Sequence, residues 1–225
     1  MASSVVEIYN LACSAGPGTR TSITAVDEGS REAEVCTLWY DTTLEAVLRA
    51  APWTSTTAYE RLALLYERDF AVDWTSAMPP PEWGFEYASP ANMIRPRYLT
   101  SFERFDLSIR DTTHTIVTNV DSAILCYTKK QTLVSMWDAS LTMAMTYALG
   151  ANITMGLTGK LSRARSALEA ANDMISQARV AAANEREVGL YETLPSWLAI
   201  RGAPQGQAPQ YIYPPGPLLS LSNVG

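Results

Sequence analysis

SREAEVCTLWYDTTLEAVLRAAPW, residues 30–53, is the stretch from which the rest of the chain is interpreted. Ser30 is a favoured N-cap residue, and the acidic residues after it suit the positive end of a helix. Apolar side chains then recur at three- and four-residue steps, at Val35, Leu38, Trp39, Leu44, Val47, Leu48 and Ala51. Because proline disfavours helix in the residue before it, Pro52 ends the pattern. The stretch predicts one long core helix, with Trp53 folded back against its last turn.

Three further helices are predicted on either side of a β-rich region. Val5–Ala15 has one apolar face and is followed by the breaker Gly16-Pro17-Gly18. Leu133–Ile153 is apolar over much of its circumference, so we expect it to lie centrally, and Leu157–Glu187 follows it. Gly156 and Gly159 are interpreted as the turn between these last two helices. Their predicted core faces are Leu133, Trp137, Leu141, Met145 and Ala148 in the first, and Leu161, Ala164, Leu168, Ala171, Ile175, Ala178 and Ala182 in the second.

The middle of the chain predicts strands. Alternating or β-branched residues indicate strands near residues 83–87, 105–109, 115–118 and 124–127. Thr54–Asp69 stays open between helix and strand, because its alanine, leucine and glutamate content favours helix locally. The resulting fold class is mainly α: a four-helix bundle core with a small antiparallel β insertion at about residues 72–128 and an extended C-terminal arm.

Composition excludes several classes of function. The chain has 225 residues and a formal net charge of −6, which argues against tight wrapping of nucleic acid but not against DNA passing through an acidic pore. Cys13, Cys36 and Cys126 form no CxxC pair, so we expect free, buried thiols in a reducing compartment. Neither a signal peptide nor an apolar run long enough to span a membrane is expected.

Catalytic and metal-binding motifs are not predicted. His114 is the one histidine, and three scattered cysteines do not supply zinc-ligand spacing. The segment around Gly159-Lys160 departs from a phosphate-binding loop, because Leu161 stands where serine or threonine is required. A pair of carboxylates acting as a hydrolase site stays open, since their separation is a spatial fact. The predicted catalytic, cofactor and metal residues are therefore none.

The same stretch also carries a family resemblance. Cys36, Trp39-Tyr40-Asp41, Leu48-Arg49 and Ala51-Pro52-Trp53, with the preceding residues 5–36, resemble the head-to-tail adaptors of short-tailed bacteriophages, also called tail tubular protein A. The resemblance covers roughly Val5–Arg186. It implies a virion tail protein, assembled in the host cytoplasm, that docks on the portal protein and joins it to the tail nozzle protein. It further implies a ring of twelve copies around a channel through which DNA passes without specific binding, and an extended conformation for Thr54–Asp69.

Residues 203–225 are predicted to be an extended docking arm, separate from an adaptor domain at residues 1–202. The arm has no charged side chain and several prolines, so it cannot form its own core; a plain disordered tail is an equal alternative. Extended segments with spaced apolar residues bind along a partner's surface. The resemblance implies that this partner is the portal, through Tyr211, Ile212, Tyr213, Leu218, Leu219 and Leu221. The alternatives are a soluble helical-bundle binding or scaffold module outside any virion and, more remotely, a hydrolase.

Overall fold

The computed structural model describes residues 3–19 and 22–185, nearly all of which belong to one compact unit that ends at Ala183. This unit contains a helical lobe and a β lobe. Among the described residues helices make up 44% and strands 21%, and the strands form two antiparallel sheets of three and four strands. The fold is therefore mixed α and β, and the prediction of a mainly-α four-helix bundle is wrong. The predicted boundary between residues 202 and 203 lies outside the described residues.

Four helices form the helical lobe: α1 (Val5–Ala15), α2 (Arg31–Ala50), α3 (Ala139–Thr158) and α4 (Leu161–Glu185). The predicted ends of α2 are confirmed by their caps. The Ser30 hydroxyl accepts a hydrogen bond from the Ala33 amide at 3.3 Å. Ala51 is extended, as a residue before proline prefers to be, and Trp53 Nε1 donates to the Val47 carbonyl at 2.9 Å. Trp53 thus folds back on the last turn of α2, as predicted.

The predicted core face of α2 is right in its second half and wrong in its first. Leu44, Val47 and Leu48 are buried. Leu38, however, is 74% exposed and Trp39 is 40% exposed. The N-terminal half of α2 instead buries smaller residues, Ala33 and Cys36.

Helix α3 lies against both α1 and α2, which agrees with its predicted central position. Its predicted start at Leu133 is wrong, because a short 3₁₀ turn (Val134–Met136) precedes it. Asp138 caps α3 by accepting from the Leu141 amide at 2.6 Å. Leu133 is consequently exposed, whereas Trp137 is buried beneath the start of the helix.

The turn between α3 and α4 is tighter than predicted. Gly159 ends α3 in the left-handed conformation, with φ 65°, which glycine adopts without a steric penalty. Gly156 lies inside α3, and α4 begins at Leu161 rather than at Leu157. The buried face of α4 is a row of alanines, at Ala164, Ala167 and Ala171. The predicted core residues Leu161 and Leu168 are each 50% exposed, beside that row.

The β lobe contains seven strands: β1 (Thr57–Arg61), β2 (Leu64–Glu67), β3 (Phe85–Ala88), β4 (Met93–Leu99), β5 (Phe105–Arg110), β6 (Thr113–Thr118) and β7 (Ile124–Lys129). Their order is β1-β7-β4 in one sheet and β2-β3-β6-β5 in the other, and every pair is antiparallel. Both sheets contribute to one apolar cluster, whose buried members are Leu62, Tyr87, Leu99, Ile116, Ala123, Leu125 and Tyr127.

Thr54–Asp69 is extended over most of its length, which answers the question that its composition left open. After a 3₁₀ turn it supplies β1 to one sheet and β2 to the other, and the Leu62 amide between them donates to the Ala123 carbonyl at 2.9 Å. The β region therefore begins at residue 57 rather than at about residue 72. Strand β4 was also not predicted, because it contains Pro96. It lies at a sheet edge with a register shift between Pro96 and Tyr98, where proline is tolerated.

Three arginines close the C-terminal end of α2. The carbonyls of residues 49, 50 and 51 accept hydrogen bonds from Arg95 at 3.2 Å, Arg179 at 2.8 Å and Arg97 at 2.6 Å, respectively. The last carbonyls of a helix have no partner within the helix, and positive charge is favoured there. Because Arg95 and Arg97 belong to β4, this end of α2 connects the helical lobe to the β lobe.

Candidate interaction surface

A long loop between β2 and β3, residues 68–84, is the most distinctive surface feature of the β lobe. Its two ends are held together where the Arg68 amide donates to the Gly84 carbonyl at 2.8 Å. The Asn119 side chain also accepts from the Gly84 amide, at 2.7 Å. Loops longer than about 12–15 residues without secondary structure are uncommon in compact domains and are usually functional or disordered. The length of the β2–β3 loop therefore suggests a function, and its contacts with the sheet show how it is held in place.

Arg110, the last residue of β5, fixes the middle of the β2–β3 loop. Its guanidinium donates to the Ser76 carbonyl and to the Met78 carbonyl, each at 2.7 Å. Within the loop, Trp74 Nε1 donates to the Pro79 carbonyl at 2.8 Å. The three prolines at residues 79–81 restrict the backbone further, because each fixes its own φ angle. The loop is thus held by hydrogen bonds from side chains to its carbonyl groups, and not by the backbone hydrogen bonds of a sheet.

The Arg110 side chain is itself held by a buried carboxylate. Glu86, on β3, is 1% exposed, and its two carboxylate oxygens accept from Arg110 Nε at 3.1 and 3.0 Å. The hydrogen bond to Glu86 raises the pKa of Arg110, which therefore stays charged. The guanidinium also lies over the Tyr66 ring, 4.4 Å from its centre. The buried charge of Glu86 is thus compensated, and the pair connects the loop to the sheet beneath it.

Apolar side chains project from this fixed loop into solvent. Phe70 is 73% exposed, Val72 is 51% exposed and Trp74 is 46% exposed. Arg68 lies over the Phe70 ring at 4.8 Å and orients it. Aromatic residues held in a fixed conformation are typical of protein–protein contacts, since little side-chain freedom is lost when they bind. We call Phe70, Val72 and Trp74 the apolar tip of the loop.

The β2–β3 loop is acidic on balance: it carries one positive charge, on Arg68 beside Phe70, and three negative charges. Between Asp69 and Glu82 the loop carries Asp73 as well and contains no lysine or arginine. A partner that covers the tip would therefore need an apolar surface bordered by positive charge. A cavity of about 440 Å³ adjoins the loop and is lined by Glu82, Trp83, Glu103, Arg104, Asn119 and Val120. Because the tip is exposed and apolar, it is typical of a contact with a macromolecular partner.

A second exposed apolar surface lies on α4 in the helical lobe. Leu161 and Leu168 are seven residues apart, so they lie on one stripe of the helix, beside the buried alanines. Arg165 occupies the same stripe between them. We call these three residues the α4 stripe. Both surfaces are apolar, but the α4 stripe carries a positive charge and the loop carries a net negative charge. Sequence periodicity had assigned both leucines to the core.

The described residues include the histidine and the acidic groups considered for catalysis or metal binding. His114 lies on β6 opposite Ile109 and is exposed. Among residues 3–19 and 22–185, no group of three or more histidine, cysteine or acidic side chains is placed to hold a metal ion. The predicted arm residues Tyr211, Ile212, Tyr213, Leu218, Leu219 and Leu221 lie outside the described residues, so their role as portal contacts stays a prediction.

Comparisons with known proteins do not assign the chain to a family. No protein-family model matches it, and no curated protein sequence matches it. In the part that the structure describes, no helix is long and apolar enough to cross a membrane. The function must therefore be argued from the sequence pattern and from the surfaces described above.

Proposed function

We propose that this protein is a head-to-tail adaptor of a short-tailed bacteriophage, a structural virion protein without enzymatic activity. The observation that carries the proposal is the pattern of Cys36, Trp39-Tyr40-Asp41, Leu48-Arg49 and Ala51-Pro52-Trp53. The fold gives part of this pattern a physical role. Pro52 and Trp53 end α2, and the arginines that bind its last carbonyls join the two lobes there.

In this proposal each surface has its own partner. The α4 stripe contacts neighbouring copies in a ring of about twelve, and the apolar tip on the β lobe contacts the tail nozzle protein. The arm at residues 203–225 contacts the portal protein. The net charge of −6 suits a channel wall that DNA passes without binding. The protein would be assembled into the virion tail in the host cytoplasm.

Native mass spectrometry of the full-length protein mixed with the portal ring from the same genome tests this proposal. We expect a complex of one portal ring and about a dozen copies of the chain. Deletion of residues 203–225 should leave a folded monomer that docks more weakly on the portal. Unchanged affinity of the deletion variant would refute the role of residues 203–225 in portal binding. A ring of about a dozen copies on the portal would still support the adaptor proposal.

Two double variants test the apolar tip and the α4 stripe separately. Phe70→Ser with Trp74→Ser should leave the portal complex intact and reduce binding of the nozzle protein. Leu161→Ser with Leu168→Ser should reduce the number of copies on each portal ring. If the full-length chain does not bind an intact portal at all, the adaptor proposal fails. A binding module that belongs to no virion is then the better explanation of the apolar tip.

A further inference from the structure

Two of the three cysteines are in contact inside the helical lobe. Cys13 on α1 and Cys36 on α2 have their Sγ atoms 3.8 Å apart. Cys13 is 1% exposed and Cys36 is fully buried. Both are free thiols, and Cys126 lies on β7 in the other lobe. Sequence spacing did not indicate this pair, because residues 13 and 36 belong to different helices.

Side-chain contacts join α1 and α2 near the two thiols. Next to them, the Tyr9 hydroxyl of α1 donates to the Thr37 hydroxyl of α2 at 3.3 Å, and the Tyr9 and Tyr40 rings pack edge to face at 5.5 Å. The sulfurs already touch, and a disulfide requires them to approach to about 2.05 Å. A movement of under about 2 Å lies within the reach of side-chain rotation combined with a small helix shift.

We propose that Cys13 and Cys36 form a redox-modification site, at which a small peroxide-class oxidant converts the two thiols into an intrachain disulfide that ties α1 to α2. The site is closed to bulky reagents by its burial, so the expected product is the internal disulfide rather than an adduct. This inference is independent of the proposed role in a virion.

The chemistry of the site balances with one peroxide and two thiols. The Cys13 thiolate attacks one peroxide oxygen and the O–O bond breaks, which leaves a sulfenic acid and releases one water after protonation. The Cys36 sulfur then attacks the Cys13 sulfur; the S–S bond forms, the S–O bond breaks, and the second water leaves. Two thiols are thereby oxidised by two electrons in total, and the peroxide is reduced to two waters.

The electrostatics favour Cys13 as the first sulfur to react. The hydrogen bond between the two thiols lowers the pKa of Cys13, although burial acts in the opposite direction. The contact with Cys13 raises the pKa of Cys36, and burial raises it further. Cys13 is therefore the more readily ionised sulfur of the pair, and Cys36 is the thiol that resolves the intermediate.

Tryptic peptide mapping of the full-length wild-type protein tests the site without any mutation. Arginine and lysine positions place the three cysteines on separate peptides, residues 1–20, 32–49 and 111–129. After treatment with hydrogen peroxide, unfolding and alkylation of the remaining thiols, we expect peptides 1–20 and 32–49 to be linked. Peptide 111–129 should be alkylated, and the intact protein should lose about 2 Da, one hydrogen from each thiol.

Controls and a stability measurement make the outcome decisive. Cys126→Ser should still form the link, whereas Cys13→Ala and Cys36→Ala should not. Oxidised wild-type protein should have a Tm about 6–12 °C higher than the reduced protein, because the cross-link restricts the unfolded chain. Full alkylation of Cys13 and Cys36 after peroxide treatment would overturn the proposal. So would a link that includes Cys126, or linkage with an unchanged or lower Tm.

Discussion

The polar side chains buried in the described helices are all threonines, whereas the β lobe also buries the carboxylate of Glu86. In the helical lobe α1 crosses α3 so closely that a Cβ atom on Gly16 would lie 2.2 Å from the Gly150 carbonyl oxygen. In the β lobe the smaller apolar cluster is supplemented by the Glu86–Arg110 pair and by the Tyr127 hydroxyl, which donates to Glu60 at 2.8 Å. The helical lobe thus depends mainly on close packing, and the β lobe depends also on paired polar side chains.

Because of this difference, the two lobes are sensitive to different kinds of substitution. Close packing is sensitive to added volume, since the backbone itself must move. Buried polar pairs are sensitive to the loss of one member, since the other is left without compensation. The difference also suits the roles proposed for the lobes. In the β lobe, the Glu86–Arg110 pair and its hydrogen bonds to the loop hold the β2–β3 loop in place, and the exposed tip stays available to a partner.

The largest effect is expected from Arg110→Met, which leaves the buried Glu86 carboxylate without its cation. We expect a loss of about 3 kcal/mol in the free energy of unfolding. Amide hydrogen exchange should rise in the β2–β3 loop before it rises in the helical lobe. Urea unfolding and hydrogen exchange give both quantities.

Two controls sharpen this prediction. Arg104→Met removes an exposed arginine from the same lobe and should change stability by less than about 0.5 kcal/mol. The double variant Glu86→Leu with Arg110→Met should be more stable than Arg110→Met alone, because no buried charge is left. If the double variant is the less stable of the two, the ion pair does not explain how the loop is fixed.

An intermediate effect is expected where α1 crosses α3. A Cβ atom on Gly150 would lie 3.0 Å from the Ala12 carbonyl oxygen and 3.1 Å from the Gly16 nitrogen, whereas one on Gly156 would meet only Val35, at 3.4 Å. Both glycines belong to α3, so alanine brings a similar gain in helix propensity at each. We expect Gly150→Ala to be less stable than Gly156→Ala by about 1–3 kcal/mol in urea unfolding. Equal stabilities would show that the crossing is looser than the structure indicates.

The smallest effect concerns the loop before α2, where Glu28 accepts hydrogen bonds from the Ser30 hydroxyl at 2.5 Å and from the Thr24 amide at 2.7 Å. These bonds lower the pKa of Glu28 to about 2, from an ordinary value of 4.5. Because the folded pKa lies below the unfolded one, the contribution is complete above about pH 4.5 and is lost as the pH falls toward 2.

Glu28→Gln should therefore reduce stability at pH 6 but make little difference near pH 2. Urea midpoints measured across this range test the effect, and Glu34→Gln, which removes a nearby charge of the same sign, is the control. If both variants show the same pH dependence, the effect is one of net charge and does not come from the hydrogen bonds of Glu28.

Sequence reasoning succeeded where structure depends on neighbours along the chain. The cap at Ser30, the stop at Pro52 and a turn near Gly159 were predicted, because capping, proline and glycine geometry act within a few residues. The strands near residues 105–127 were also readable, from alternation and β-branching. The apolar tip was not predicted as an exposed surface. Its clearest sequence signal was a long proline- and aromatic-rich segment between two strands.

By itself, then, the sequence determined the ends of α2, the presence of a turn near Gly159 and the existence of a β region. Only the tertiary structure decided that Thr54–Asp69 is extended, because partner strands distant in sequence outweigh a local preference for helix. It alone decided that Leu38 does not face the core, and that Cys36, which was expected to be buried, meets Cys13. Such contacts join residues far apart in the chain, and no local pattern records which of several apolar faces a neighbouring element will cover.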